Sequence, residues 1–431
     1  MALILRNAHA IDPQLNLDDI VDLRIEDGII TEVGKDLSAQ GAIEKNLEGK
    51  ILVPGLCDMH VHLREPGQEY KEDIESGTRA AVHGGFTAVC CMANTKPVCD
   101  DAEVVNFITE RAQERGHCRV HVVGACTKGL GGETLAAMGE MVEAGVVAFS
   151  DDGRGVQDAG MMRRVMDYAV QFGKPVLSHC QDEGLVGEGQ INEGIASTKM
   201  GLLGWPDEGE EIQIGRDMEI SRLTNCPLHI QHITTKHGLD LVRSAKKMGV
   251  KVSCEVTPHH LFLSEDDFDQ TYNTNLKVNP PLRTKEDCAA LLEGVIDGSV
   301  DCWVTDHAPH ALWEKDREFE LAPFGMTGLE TSLGLAITHL TKPGLISWNR
   351  LIELMAINPR KILGIACPAI DSGSLADLTI IDPDVEWEVR PANFESKAVN
   401  SGFIGAKLIG RATDVYVGGR AAMEDGEIVS L

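Results

Sequence analysis

The chain has 431 residues, 43% hydrophobic and 25% charged, the composition of a globular protein with room for a large core. Its 67 Asp and Glu outnumber 39 Lys and Arg, and the formal charge of −28 excludes a broad nucleic-acid or anionic-membrane face, which needs clustered cations. No run approaches the ~20 apolar residues of a membrane span.

The N-terminal stretch, MALILRNAHAIDP, alternates like a strand and lacks a basic-then-apolar leader pattern. Residues 1–50 continue that alternation, with Asp27-Gly28 as a hairpin turn. Residues 366–431 share the texture, with Gly418-Gly419 at a turn, so both termini are expected to build one small β-sandwich. Between them, residues 51–365 change rhythm. Short apolar strands are predicted at 51–57, 87–93, 119–126, 146–150, 175–178, 228–232, 252–257 and 301–305. Helical stretches such as EDIESGTRAAVHGG, AEVVNFITERAQERG, MMRRVMDYAVQFG and KEDCAALLEGVIDG separate them, several ending in Gly. Near-continuous apolar strands alternating with helices predict an α/β fold with a parallel sheet covered on both sides, and eight strands fit a (β/α)8 TIM-type barrel. A doubly wound open sheet is the alternative, weakened by the absence of a GxGxxG after a first strand. Twelve cysteines are scattered, many inside apolar strands and with no CxxC pair, which predicts buried free thiols in a reducing cytoplasm. One connection, 181–215, is long, acidic and glycine-rich, as loops that set specificity often are.

Catalytic groups of such a barrel sit at the C-terminal ends of its strands. There the sequence places His60 and His62, then Arg64, after strand one. Side chains alternate along a strand, so 60 and 62 share a face and can close on one divalent ion. Asn94 follows strand two, Asp151-Asp152 strand four, His179 strand five, and His232 strand six. Strand seven runs into His259-His260 and then VNPPLR with Asn279, and strand eight into TDHAPH with Asp306, His307 and His310. A lone strand-end histidine is ordinarily a hydrogen-bonded structural residue, and an Asp before a helix an N-cap. Four histidines and two aspartates at five strand ends of one barrel exceed that explanation. They predict a metal centre of nitrogen and oxygen ligands, with zinc the expected occupant and manganese or cobalt also suited.

The phrases DMHVHLREPG, MANTKP, FSDDG, VNPPLR, TDHAPH and PFGMTGLE resemble the dihydroorotase family of the long, class I bacterial type within the amidohydrolase superfamily, across nearly the whole chain. HLREPG with VNPPLR carries the family, whereas HxH with the final Asp would indicate only the superfamily. The resemblance implies one ion on His60, His62 and Asp306, and a second on His179 and His232. Many relatives bridge such ions with a carbamylated lysine after strand four, but FSDDG has none. The class I pattern puts Asp152 in that role, with Asp151 facing the other way. Lys128 lies one strand too early to substitute.

The reaction implied is the reversible closure of N-carbamoyl-L-aspartate to L-dihydroorotate and water, with Asp306 as general acid and base. Arg64, Asn94 and His310 are the expected clamp for the substrate carboxylate, and Asn279 the reader of the amide edge. Hydantoinase- or allantoinase-like chains resemble a pattern with the strand-four lysine and without HLREPG. A non-catalytic scaffold for aspartate transcarbamoylase would have lost ligands, and every ligand position here is filled. Docking of an active chain onto that transcarbamoylase stays open, a homo-oligomer is expected, and segment 309–325 is a candidate lid.

Overall fold

A computed structural model describes residues 2–268 and 271–430. Eight parallel strands follow one another in chain order around a barrel: Leu56–Val61, Phe86–Cys91, Arg119–Gly124, Ala148–Phe149, Val176–Ser178, Leu228–Ile230, Val252–Val256 and Cys302–Trp303. The last returns to the first. The His62 N–H donates to the His307 carbonyl at 2.9 Å, and the Thr305 N–H to Asp58 Oδ2 at 3.0 Å. Met59, Cys90, Val123, Ala148, Leu177 and Cys302 come from six strands yet form one apolar cluster, which places that cluster inside the barrel. A larger cluster packs the outer strand faces against the helices, so both faces are dry and the strands read as apolar runs.

The helices expected from the sequence form at Ile74–His83, Ala102–Arg115, Ala159–Ala169 and Lys285–Asp297. Asp73, Asp101, Asp158 and Thr284 cap them, each side chain accepting an otherwise unpaired first-turn N–H.

The strand expected over 51–57 is two strands. Ile51–Pro54 pairs with Leu3–Asp12 and Leu378–Glu388 in the terminal sheet, and only Leu56–Val61 enters the barrel. Gly55 makes the transition, because a Cβ there would lie 2.2 Å from Thr87 Oγ1. Among the described residues the terminal sheet has nine strands, running from Glu427–Ile428 through the C-terminal hairpins to Ile51–Pro54 and on to Ile29–Gly34. Leu5, Leu23, Ile30, Leu52, Ile380 and Tyr416, drawn from both chain ends, share one core beneath it. Its tight turns are at the expected places, with Asp27 and Gly28 at φ 48° and 84°, the left-handed pair a type I′ hairpin requires.

The 181–215 connection is ordered by its own small elements. A helix at Glu183–Val186 leads to a parallel pairing of Ile191–Asn192 with Gly204–Trp205. Arg283, almost fully buried, donates from Nη1 to Asn192 Oδ1 at 2.8 Å and to the Trp205 carbonyl at 3.0 Å, fastening that loop to the barrel. All twelve cysteines are free, and no helix among the described residues is long and apolar enough to cross a membrane.

Candidate metal centre and substrate pocket

The first barrel strand delivers His60 and His62 to the same place because alternate residues share a face. Asp58, two positions earlier, turns to the backbone and accepts the His60 N–H at 3.0 Å. His232 and Asp306 follow their strands with φ of 27° and 47°, left-handed for non-glycine residues, as is Arg64 at 60°. Each costs on the order of 1 kcal/mol, a strain found where a side chain must be aimed.

The six expected ligands converge. Asp152 Oδ1 lies 3.4 Å from His60 Nε2, 3.4 Å from His179 Nδ1 and 3.8 Å from His232 Nε2. Its Oδ2 lies 3.5 Å from His62 Nε2, and Asp306 Oδ1 is 3.0 Å from the same nitrogen and 3.5 Å from His60 Nε2. Three groups have ligand atoms within 4.8 Å of one another: His60, His62 and Asp152; Asp152, His179 and His232; His60, His232 and Asp306. Asp152 belongs to two of them, the position a bridging carboxylate occupies.

The imidazoles are turned for an ion. His60 Nδ1 faces Glu255 Oε1 at 2.6 Å, His62 Nδ1 faces Asn94 Oδ1 at 2.9 Å, and His179 Nε2 faces Gln181 Oε1 at 2.8 Å. Each of these three rings has an oxygen in place to accept its outer N–H, so that with an ion bound the inner nitrogen would be free to offer its lone pair to the cluster. His179 Nδ1 and His232 Nε2 come within 2.9 Å, two inner nitrogens converging on one point. This donor set fits divalent cations that take nitrogen and oxygen ligands.

The electrostatics of the side chains point the same way. Burial pulls the His60 imidazolium down, but Glu255, Asp306 and Asp152 more than reverse this and hold it well above its ordinary value. Burial raises the Asp152 and Asp306 carboxyls, and the surrounding histidines, His60 foremost, bring both below the usual carboxylate range. Asp151 points elsewhere. It accepts the Cys126 and Thr127 N–H groups at 2.8 and 3.0 Å, and the Thr127 hydroxyl besides.

A cavity of about 240 Å³ opens beside the cluster, lined by Arg64, Asn94, Asn279 and His310 together with His62, His179, Asp152 and Asp306. Arg64 donates from Nε to the Pro309 carbonyl at 3.2 Å and forms no salt bridge among the described residues. Its sequence neighbours are engaged elsewhere, Glu65 with Arg111 and Asp58 with backbone N–H groups. Asn279 donates to Gln181 Oε1 at 3.2 Å while its Oδ1 is buried without a partner. Asn94 uses both ends of its amide inside the centre, accepting from His62 and donating to Asp152 Oδ2 at 3.3 Å. His310 donates from Nε2 to the Phe324 carbonyl at 2.8 Å, and burial keeps it neutral with its pKa pulled down to about 3.

The 309–325 segment forms one wall through His310, Phe324 and Gly325. Two buried lysines tie it down. Lys277 Nζ donates to the carbonyls of Phe319, Glu320 and Ala322, and Lys315 Nζ to those of Thr274, Lys277 and Pro323.

Sequence reasoning missed Glu255 and Gln181. Gln181 had a signal, sitting two residues after His179 on the same face. Glu255 had one too, an acid inside the apolar strand VSCEV.

Comparisons with known proteins agree with this architecture. The chain is 46% identical to a dihydroorotase of Acetivibrio thermocellus, over 98% of this chain and 99% of that one. It is 47% identical to a dihydroorotase of Pelobacter propionicus, over 97% and 99%. A family model described as dihydro-orotase-like matches residues 49–238. Among solved structures, the L-hydantoinase (dihydropyrimidinase) from Arthrobacter aurescens superposes with a TM-score of 0.90 at 24% identity, covering 99% of this chain and 97% of its own, a likeness of fold. Full-length identity at this level to several dihydroorotases, together with the barrel and its buried histidine–aspartate cluster, establishes that the chain belongs to the dihydroorotase family.

Proposed function

We propose that His60, His62, Asp152, His179, His232 and Asp306 hold two divalent cations, and that here the chain works as a dihydroorotase, a cyclic amide hydrolase of pyrimidine biosynthesis. The reaction is the reversible closure of N-carbamoyl-L-aspartate to L-dihydroorotate and water. The observation that carries the reading is the orientation of the histidines, with His60, His62 and His179 each tied outward and aimed inward at a shared carboxylate. Nitrogen and carboxylate ligands in this number support zinc as the occupant.

Bound cations would supply Lewis acidity, polarising a carbonyl and bringing water to the hydroxide level near neutral pH. The protein's own groups do the rest. Asp306 borders the cavity and is held ionised, so it takes the proton of the attacking water and returns it to the ring nitrogen as the amide C–N bond breaks. Arg64, without a carboxylate of its own, receives the substrate carboxylate. The Asn279 Oδ1 accepts a ring N–H, and its burial makes a substrate lacking that donor costly to bind. His310 and Asn94 complete that end of the pocket, Asn94 by fixing His62 and Asp152. The working form proposed is a homo-oligomer in the cytoplasm, supported on location by the free core thiols.

The test is ring opening of dihydroorotate by the purified chain, with metal content determined on the same sample. Turnover that chelation removes and zinc restores supports the reading. A metallated chain inert alone is assayed again with aspartate transcarbamoylase added. Inertness in both conditions would refute the substrate assignment and leave the barrel and metal centre standing.

A further inference from the structure

One buried carboxylate outside the six ligands touches both halves of the centre. Glu255 sits in the seventh barrel strand, 1% exposed, with side-chain partners from the first strand and from the sixth and its C-terminal exit. Its Oε1 accepts from His60 Nδ1 at 2.6 Å and from the backbone N–H of His232 at 3.1 Å. Its Oε2 lies 3.0 Å from His229 Nε2, and His229 Nδ1 is in turn 2.7 Å from Ser253 Oγ. His60 groups with His62 and Asp152, His232 with His179 and Asp152, and the two histidines also meet in a third group with Asp306, so a single oxygen contacts one member of each of the first two groups. The His232 contact is to the backbone, at the residue whose φ of 27° fixes where its ring is thrown.

We propose that Glu255 is a positioning residue that couples the two metal sites, holding the His60 ring as its Nδ1–H tautomer and the His232 backbone in its left-handed turn through one shared oxygen. With an ion on His60 the Nδ1–H bond to Glu255 would tighten, and Glu255, so fixed, would hold the His232 turn in the form that suits a second ion. The two ions therefore load together. Gln231 does not replace it, since its Nε2 stands 3.2 Å from His60 Nδ1 as a further donor and its Oε1 accepts the Ser150 hydroxyl. The inference rests on the two-cation reading above.

The experiment is a chelator-competed titration of metal-stripped protein with Co2+, following the visible absorption of the bound ion, on wild type, Glu255→Gln and His229→Asn. Wild type is expected to fill both sites in one steep step. Glu255→Gln keeps the shape but leaves an uncharged Oε1, about half as strong an acceptor, to hold both the His60 Nδ1–H and the His232 N–H, and is expected to fill about 10-fold more weakly and less steeply. His229→Asn disturbs only the far side of the carboxylate and should stay cooperative. Equal affinity and steepness in wild type and Glu255→Gln would overturn the proposal. If Glu255→Gln does not fold, nitrogen NMR of the histidines in zinc-loaded wild type decides. A protonated His60 Nδ1 in a strong hydrogen bond is expected, and a proton on Nε2 would overturn the assignment. Failure of wild type to bind ions at all would instead sink the two-cation reading.

Discussion

Adjacent aspartates with opposite orientations give a sharp test of the centre. In Asp152→Asn, both oxygens now facing the histidines lose their charge, and the new amide NH2 competes with Asn94 Nδ2 for space. Loss of an outer hydrogen-bond partner costs about 10- to 100-fold in metal affinity, and a direct shared ligand must cost more, so at least about 3 kcal/mol of binding is expected to disappear. Asp151→Asn is different. Its oxygens face two backbone N–H groups and a hydroxyl, and an amide can retain the N–H bonds but not the charge. Hydrogen bonds to charged groups are worth about 1.5–3 kcal/mol, so roughly 2 kcal/mol of folding stability should be lost with metal content unchanged. Metal analysis after exhaustive dialysis, paired with denaturant midpoints, separates the two. Metal loss in Asp151→Asn with retention in Asp152→Asn would reverse the assignment and refute the geometry argument.

Two further outcomes follow from groups around the pocket. Arg64→Met keeps the bulk and removes the fork, so KM for dihydroorotate should rise about 100-fold with kcat changed far less; a fall confined to kcat would place the arginine elsewhere in the reaction. His259 is buried with an unpartnered Nε2, and burial pulls its pKa down to about 4. As pH falls below about 6.5 the unfolded chain takes up a proton there that the folded chain refuses until about 4, so wild type loses stability across that window. His259→Leu lacks this term and should gain roughly 3 kcal/mol on wild type between pH 6.5 and 4, and a difference that stays flat would contradict it.

Much of this was legible because strand periodicity carries information about faces. The HxH pair, the eight-strand rhythm and the convergence of strand-end histidines and aspartates all follow from alternation and from where barrels put chemistry. What alternation does not encode is which partner a side chain meets across the barrel. Asn94 reads from sequence as part of the carboxylate clamp, yet its amide spans His62 and Asp152, residues 32 and 58 positions away. Glu255 reaches His60 from 195 positions away, and Arg283 fastens a loop 91 positions earlier. The break at Gly55 was hidden for a different reason. An apolar run looks the same whether it serves one sheet or passes between two, and only the approach of Thr87 distinguishes them.

Charge ties metal loading to substrate binding. The chain carries −28, while both the ring and open forms of the substrate are anions. Within the cavity wall Asp152 and Asp306 oppose a single Arg64, and Glu255 with a protonated His60 cancels, so the side chains alone present net negative charge. Two divalent cations would add four positive charges and displace the His60 proton, reversing the sign of the field. At an effective dielectric near 20, one unit charge at about 4 Å is worth about 4 kcal/mol, so the reversal outweighs the single Arg64 contact. Metal-stripped protein should therefore bind dihydroorotate at least about 100-fold more weakly than the loaded form, and not merely fail to turn it over. Calorimetric titration of both forms with dihydroorotate measures this directly. Equal affinity would mean that Arg64 and its neighbours bind the carboxylate without help from the ions, and that metal and substrate are not linked.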